Sequence, residues 1–219
     1  MRFCAHSVLI FAVAYASSVQ DRFQIQHDQV NRYPSVADGA RVARTLVNRE
    51  SLMNVNTIQK LEGIEEVPTS AMEYYADCDL DGNPYWLVID IGSPARNIAR
   101  GSLYSFTIRS GDHPIGDNVN AEYPGGIVSS PAGSPRLTLK GDIVNVTESS
   151  PEKIARLETC FVERHPDAKW WLPLSQNSPH RSHWVKINVT DVYMIGGFGD
   201  RAYIGPVSGE DYHAATIIN

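Results

Sequence analysis

The strongest constraint on this chain is a succession of short runs rich in β-branched and aromatic residues. They are PYWLVID (84–90), SLYSFTIR (102–109), RLTLKGDIVNVT (136–147), WVKINVT (184–190) and VYMI (192–195). Such residues suit a pleated, half-buried surface, so each run predicts a strand. Tyr104, Phe106 and Ile108 alternate with Leu103, Ser105 and Thr107, which sets one face toward a core. The same period turns Val185, Ile187 and Val189 inward and Asn188 outward. Gly141-Asp142 inside the third run predicts a bulge or tight bend. Many strands with few helices predict a mainly β fold, a small barrel rather than a parallel sheet.

Two helices punctuate the strands. VADGARVARTLVNR (36–49) repeats Ala40, Ala43 and Val47, with Val42 and Leu46, at helical spacing. Asp38 is its expected N-cap, and Arg41, Arg44 and Arg49 fall on the other faces. In SSPEKIARLETCFVERHP (149–166), Ser149 stands three residues before Glu152 as a capping box, and Pro151 suits the first turn. Ile154, Leu157 and Phe161 form its apolar stripe with Cys160, and His165-Pro166 ends it.

At 219 residues with 42% hydrophobic and 20% charged content, the chain is an ordinary globular protein. Its formal charge of -6 and the lack of any Lys/Arg run argue against nucleic acid as a partner. The N-terminus carries Arg2, the apolar SVLIFAVAYA and a small polar SSVQD. Ala14-Tyr15-Ala16 is an A-x-A cleavage pattern, so 1–16 reads as a secretory signal peptide. The apolar run is short of the roughly 20 residues a membrane span needs. Residues 17–35 read as a flexible N-terminal tail and 36–215 as a single domain. Without Arg2, 18 basic residues face 25 acidic ones, a charge of -7.

Removing the leader removes Cys4 and leaves Cys78 and Cys160. Sequence alone leaves a disulfide and two thiols equally open, because it cannot place the two Cα atoms. Asn145-Val146-Thr147 and Asn188-Val189-Thr190 are acceptor sequons for N-glycans in a secreted chain. Asp77, Asp79, Asp81 and Gly82 imitate the opening of a calcium loop. The twelfth position from Asp77 is Val88, however, where such a loop requires a bidentate Glu and a following helix. The stretch reads instead as a turn between two strands, its acids keeping the tip solvated.

Several segments resemble, in order, the CREG family of secreted glycoproteins, the cellular repressors of adenovirus-stimulated genes. They are ARTLVNRESLMNVNTI (43–58), GNPYWLVIDIGSPARNI (82–98), PRLTLKGDIVNVTE (135–148), FVERHPDAKWWLP (161–173) and HWVKINVTDVYMIGGFGDRAYI (183–204). Arg164-His165-Pro166 with Trp170-Trp171, and the W-x-K-[IL]-N strand, are the most specific pieces, and the likeness spans about 40–213. The resemblance implies the split β-barrel of the flavin-reductase and pyridoxamine 5'-phosphate oxidase-like type, with a few flanking helices. It implies a homodimer with a flavin-type site between subunits, altered or obstructed in CREG relatives, and a secreted or endolysosomal location. The stretch 109–134 departs from the family pattern, and whether it fills or opens the pocket is the structural question it poses.

A flavin phosphate is a dianion that needs fixed cations and hydroxyls. Arg109, Thr138 and Lys140 are the candidate FMN-binding set, with Ser93 or Ser105 nearby, against the plainer reading of Arg109 and Lys140 as solvated strand ends. His180 and His183, with His165 and Asp167 upstream, are too few ligands for an expected metal site. No G-x-S-x-G elbow is present, so serine hydrolase chemistry is not expected. Trp170, Trp171, Trp184 and Tyr193 read first as core or interface packing. Two functions stay in play. One is a non-catalytic binding or regulatory homodimer that meets another protein or receptor. The other is an FMN oxidoreductase, or a cofactor-free enzyme reusing the barrel cleft.

Overall fold

The computed structural model describes residues 34–59, 63, 65–114, 131–147, 150–173, 175, 178–198 and 201–218. The predicted leader, most of the tail, Ser149 and residues 115–130 lie outside the described residues. In chain order the elements are α1 (Val36–Arg49), β1 (Leu52–Ile58), β2 (Pro68–Ala76), β3 (Tyr85–Ile89), α2 (Ser93–Ala99) and β4 (Tyr104–Arg109). They continue with β5 (Arg136–Asn145), α3 (Pro151–Arg164), β6 (Ser182–Ile195), β7 (Ile204–Ser208) and α4 (Gly209–Ala214).

Every strand pairing is antiparallel. The order β3-β2-β1-β4-β5-β6 closes on itself through β3–β6, giving a six-stranded barrel, and β7 extends the sheet beyond β6. Inside it, Val55, Tyr75, Trp86, Phe106, Ile108, Leu139 and Ile187 pack with Ala43, Leu46 and Val47 of α1. The alternation in 102–109 and 184–190 is seen as expected: Phe106, Ile108, Val185, Ile187 and Val189 are buried and Asn188 is exposed. The mainly β split barrel is therefore the observed fold.

Several local expectations change. The runs at 184–190 and 192–195 form one 14-residue strand. Lys140 pairs with Asp191 while Gly141 pairs with Val189, so Thr190 is an extra residue and β6 bulges there. A Cβ on Gly141 would sit 2.1 Å from the Asn188 carbonyl oxygen, so only glycine admits that approach. Strands β1 and β7 and helices α2 and α4 were not anticipated, and β2 only as an unplaced strand before the turn. β2 reads PTSAMEYYA, too polar to stand out, and β7 holds Pro206, which an edge strand tolerates. The α1 cap is Ser35, with Asp38 at the third helical position closing a capping box. For α3 the cap is Ser150, whose hydroxyl accepts from the Lys153 N–H.

The β2–β3 turn overturns two further expectations. Asp77 is buried rather than solvated, and Arg44 leaves the polar face of α1 to meet it. Arg44 Nη1 lies 3.5 Å from Asp77 Oδ2, with side chains only 5% and 0% exposed. Backbone groups satisfy much of the pair, as burial demands, although Arg44 Nε is buried without a hydrogen-bond partner. Arg44 Nη2 donates to the Leu80 carbonyl at 2.8 Å, and the Gly82 N–H donates to Asp77 Oδ1 at 3.0 Å. Tyr212 of α4 adds its ring below the guanidinium and donates its hydroxyl to the Gly82 carbonyl. Burial pushes the Asp77 carboxyl above its usual range, although Arg44 and the Gly82 N–H pull the other way. At the turn's tip, Asp79 and Asp81 pair with Lys186 of β6. Burial alone would lower the Lys186 ammonium, but its bonds to the two carboxylates hold it above the ordinary lysine value.

Helix α3 covers the outside of β2, β3 and β6, burying Leu157 and Phe161 against Ala76, Leu87 and Trp184. A disulfide joins Cys160 on α3 to Cys78 in the β2–β3 turn, with the Cα atoms 5.9 Å apart. Beyond the helix end, His165 is buried, stacked on Tyr74 at 4.2 Å, with Nε2 2.9 Å from the Tyr75 carbonyl.

Two measurements test this packing. Gly82 has φ +81 and its added Cβ would lie 2.1 Å from Arg44 Nη1, whereas Gly101, at φ +83, faces open space. Gly82→Ala is expected to cost about 3 kcal/mol in urea denaturation and Gly101→Ala about 1; equal costs would refute the clash. Burial holds the His165 imidazole below its ordinary value. The folded state then binds fewer protons than the unfolded one, so this stability is full above about pH 6.5 and is lost as pH falls through the depressed value. Tm should fall more steeply from pH 7 to pH 5 in the wild type than in His165→Gln.

Candidate functional site

The barrel presents a broad outer face where β1, β4 and β5 meet β2 and β6. Cross-strand pairing lines up Met72, Asn54, Thr107, Thr138, Tyr193 and Pro206 in one row across six strands. In the neighbouring row Ser70 pairs with Asn56 and Asn56 with Ser105. Because side chains alternate along a strand, these residues share the outward side. Asn56 Nδ2 donates to Thr107 Oγ1 at 2.9 Å and to Ser105 Oγ at 3.3 Å, and its Oδ1 accepts from Ser70 Oγ at 2.9 Å. Asn54 Nδ2 donates to Ser70 Oγ at 3.1 Å. The result is an uncharged ladder of amides and hydroxyls. Where β1 ends, a groove of about 420 Å³ opens between Asn56, Ile58, Pro68, Ser70, Leu103 and Tyr104.

The structure sets Arg109, Thr138 and Lys140 on this same face. Thr138 lies in the long row, Arg109 pairs with Arg136, and Lys140 follows Thr138 by two residues along β5. Their donors are not gathered for a phosphate, however. Arg109 closes its fork on Asp112, with Nε 2.8 Å from Oδ2 and Nη2 3.0 Å from Oδ1. That hydrogen-bonded pair holds the guanidinium above its already high value. Arg136 turns to the carbonyls of Ala132 and Ser134, Ser105 serves Asn56, and Ser93 belongs to the start of α2. A dianion here would meet Lys140 and Thr138, but Arg109 is engaged by Asp112 and Arg136 by two backbone carbonyls. The residues do not fit a flavin phosphate as they stand. The question posed by 109–134 falls mostly on residues 115–130, outside the described residues.

The histidines separate into different networks. His183 Nδ1 is 2.8 Å from Asp90 Oδ1, and Arg181 Nε is 3.5 Å from Asp90 Oδ2. His165 is buried, and Asp167 accepts from the Tyr74 hydroxyl at 2.9 Å. Of the tryptophan pair, Trp171 packs with the α3 cluster and Trp170 is exposed with Lys169 5.0 Å above its ring. Sequence reasoning missed Asn54 and Asn56, although the alternation of LMNVNTI with polar asparagines would have revealed them, and it gave Thr107 an outward place without a role. It had no signal for Asp112, which reaches Arg109 only through a turn.

A family model described as CREG, beta-barrel matches residues 34–214. The chain belongs to the CREG β-barrel family. A search of curated proteins returned no matching sequence. Among solved structures, this CREG barrel is similar to a heme binding protein from Mycobacterium smegmatis, with TM-score 0.59 and 24% identity over 86% of this chain. It is also similar to the protein Atu2129, of unknown function, from Agrobacterium tumefaciens, with TM-score 0.52 and 19% identity over 80% of this chain. The chain spans 63% and 60% of those two structures' lengths. At these identities the likeness concerns the fold, the split barrel that the CREG resemblance implied.

Proposed function

We propose that this CREG-type chain is a secreted glycoprotein acting as a homodimeric binding or regulatory protein, with no turnover of its own. The observation that carries the reading is the outer face itself. Met72 is 61% exposed and Tyr193 48% in its long row, with Ile204 exposed on β7 beside them. Large apolar side chains on a flat row of neutral polar groups suit burial against a second copy. The closed Arg109–Asp112 pair works against a flavin phosphate on the same face. Asn145 and Asn188 are both exposed, as glycan acceptors must be, and the Ala14-Tyr15-Ala16 pattern supplies the route to glycosylation. A receptor or other protein is the expected partner, in the extracellular space or an endolysosomal compartment. No described helix is long and apolar enough to cross a membrane.

Purified protein is expected to be colourless and to take up no FMN in a titration followed by flavin fluorescence. Submicromolar uptake would favour the oxidoreductase, or another use of the cleft, instead. Light scattering should give twice the chain mass. Thr138→Arg, at the middle of the row, should yield folded monomer by light scattering and circular dichroism, because the half-buried threonine faces outward rather than into the core. A monomeric wild type would overturn the dimer.

A further inference from the structure

A second groove, of about 280 Å³, lies on the opposite flank of the molecule, between α3 and the β2–β3 turn. Its walls include Cys78, Asp79, Tyr85, Lys153, Arg156 and Leu157. One residue of the disulfide, Cys78, thus lines a concavity, while Cys160 is not among the lining residues. Both cysteines are half-buried. Two cations of α3 face this groove against one carboxylate, and that carboxylate, Asp79, is paired with Lys186 and accepts from the Tyr85 hydroxyl. A disulfide is opened by a thiolate, an anion, and the rate follows access and the local field.

We propose that this groove admits small anionic thiols and that Cys78 Sγ is the atom they attack. The thiolate forms a new S–S bond to Cys78, and the Cys78–Cys160 bond breaks with its electron pair leaving on Cys160 Sγ. Cys160 then takes a proton from water. A second thiolate, or the other arm of a dithiol, then attacks the sulfur of the first and forms the reductant's own S–S bond. The bond to Cys78 breaks with its electron pair leaving on Cys78 Sγ, which takes a proton from water. The reductant is oxidised to a disulfide by two electrons while both cysteines become thiols. The consequence falls on α3. Apart from the bridge, the described helix is anchored by Leu157 and Phe161, by Arg164 donating to the Arg49 carbonyl at 2.8 Å, and by His165 beyond its end. Opening the bridge loosens the cover over Leu87 and Trp184, a change independent of whether the barrel binds a flavin.

The test compares glutathione, 2-mercaptoethanol and cysteamine on the folded protein, at equal thiolate concentration and low salt. Intact mass and peptide mapping after acid quench read the mixed disulfides. Glutathione should add to Cys78 about tenfold faster than cationic cysteamine, and added salt should erase the difference. The double variant Lys153→Gln/Arg156→Gln should lose the preference while keeping the wild-type Tm. Equal rates for the three thiols, adducts on Cys160, or reduction no faster than global unfolding measured by hydrogen exchange would overturn the proposal.

Discussion

Closure of the barrel depends on one strand serving three neighbours. Along one edge β6 runs with β5 for nearly its whole length, while the other edge is shared in succession by β3 and β7. A flat strand could not do this, since β3 lies on the barrel wall and β7 leaves it. The extra residue at Thr190 sharpens the twist where the partner changes, as bulges do. Gly141 on β5 makes room for it. Without that concession the sheet would remain an open, edge-exposed ribbon, and the interior packed around Trp86 and Phe106 would lose a side.

Much of this was legible, and the illegible parts share a physical cause. Runs such as SLYSFTIR declare themselves because one face meets a core and the other meets water. The β2 strand does not, because its outward residues split between two fates: Met72 is exposed whereas Tyr74 and Ala76 lie under α3. Arg109, Thr138 and Lys140 were grouped by chemistry alone, and only the β4–β5 pairing sets them on one side. Period-two reasoning could not know that Arg109 would find Asp112, because an exposed ion pair across a turn leaves no periodic trace. Arg44 was misread for the opposite reason. A guanidinium on a helix is normally a solvent-facing group, and only the buried Asp77, distant in sequence, makes its burial affordable. The cysteines were undecided because covalent pairing is a matter of distance, and distance belongs to the fold.

The molecule divides its charges between two flanks. On the ladder side, amides and hydroxyls satisfy each other, Arg109 is held by Asp112 and Arg136 by backbone carbonyls, and Lys140 stands exposed beyond Thr138. On the α3 side, carboxylates and ammonium groups interlock through Asp79, Asp81 and Lys186, and two further cations stand over the bridge. A broad face of amides and hydroxyls favours contact with another folded surface, while a charged concavity favours small ions. The two flanks are thus suited to partners of different size.

The bridge spans 82 residues of sequence, enclosing β3, α2, β4, β5 and most of α3 in a covalent lasso. A peptide bond hydrolysed anywhere inside that ring opens the chain without releasing either piece. The nicked product keeps its full mass until the sulfurs are parted, when two fragments come free. Processing in this interval would therefore be invisible on a non-reducing gel, and sulfur chemistry would decide when a silent cut becomes a separation.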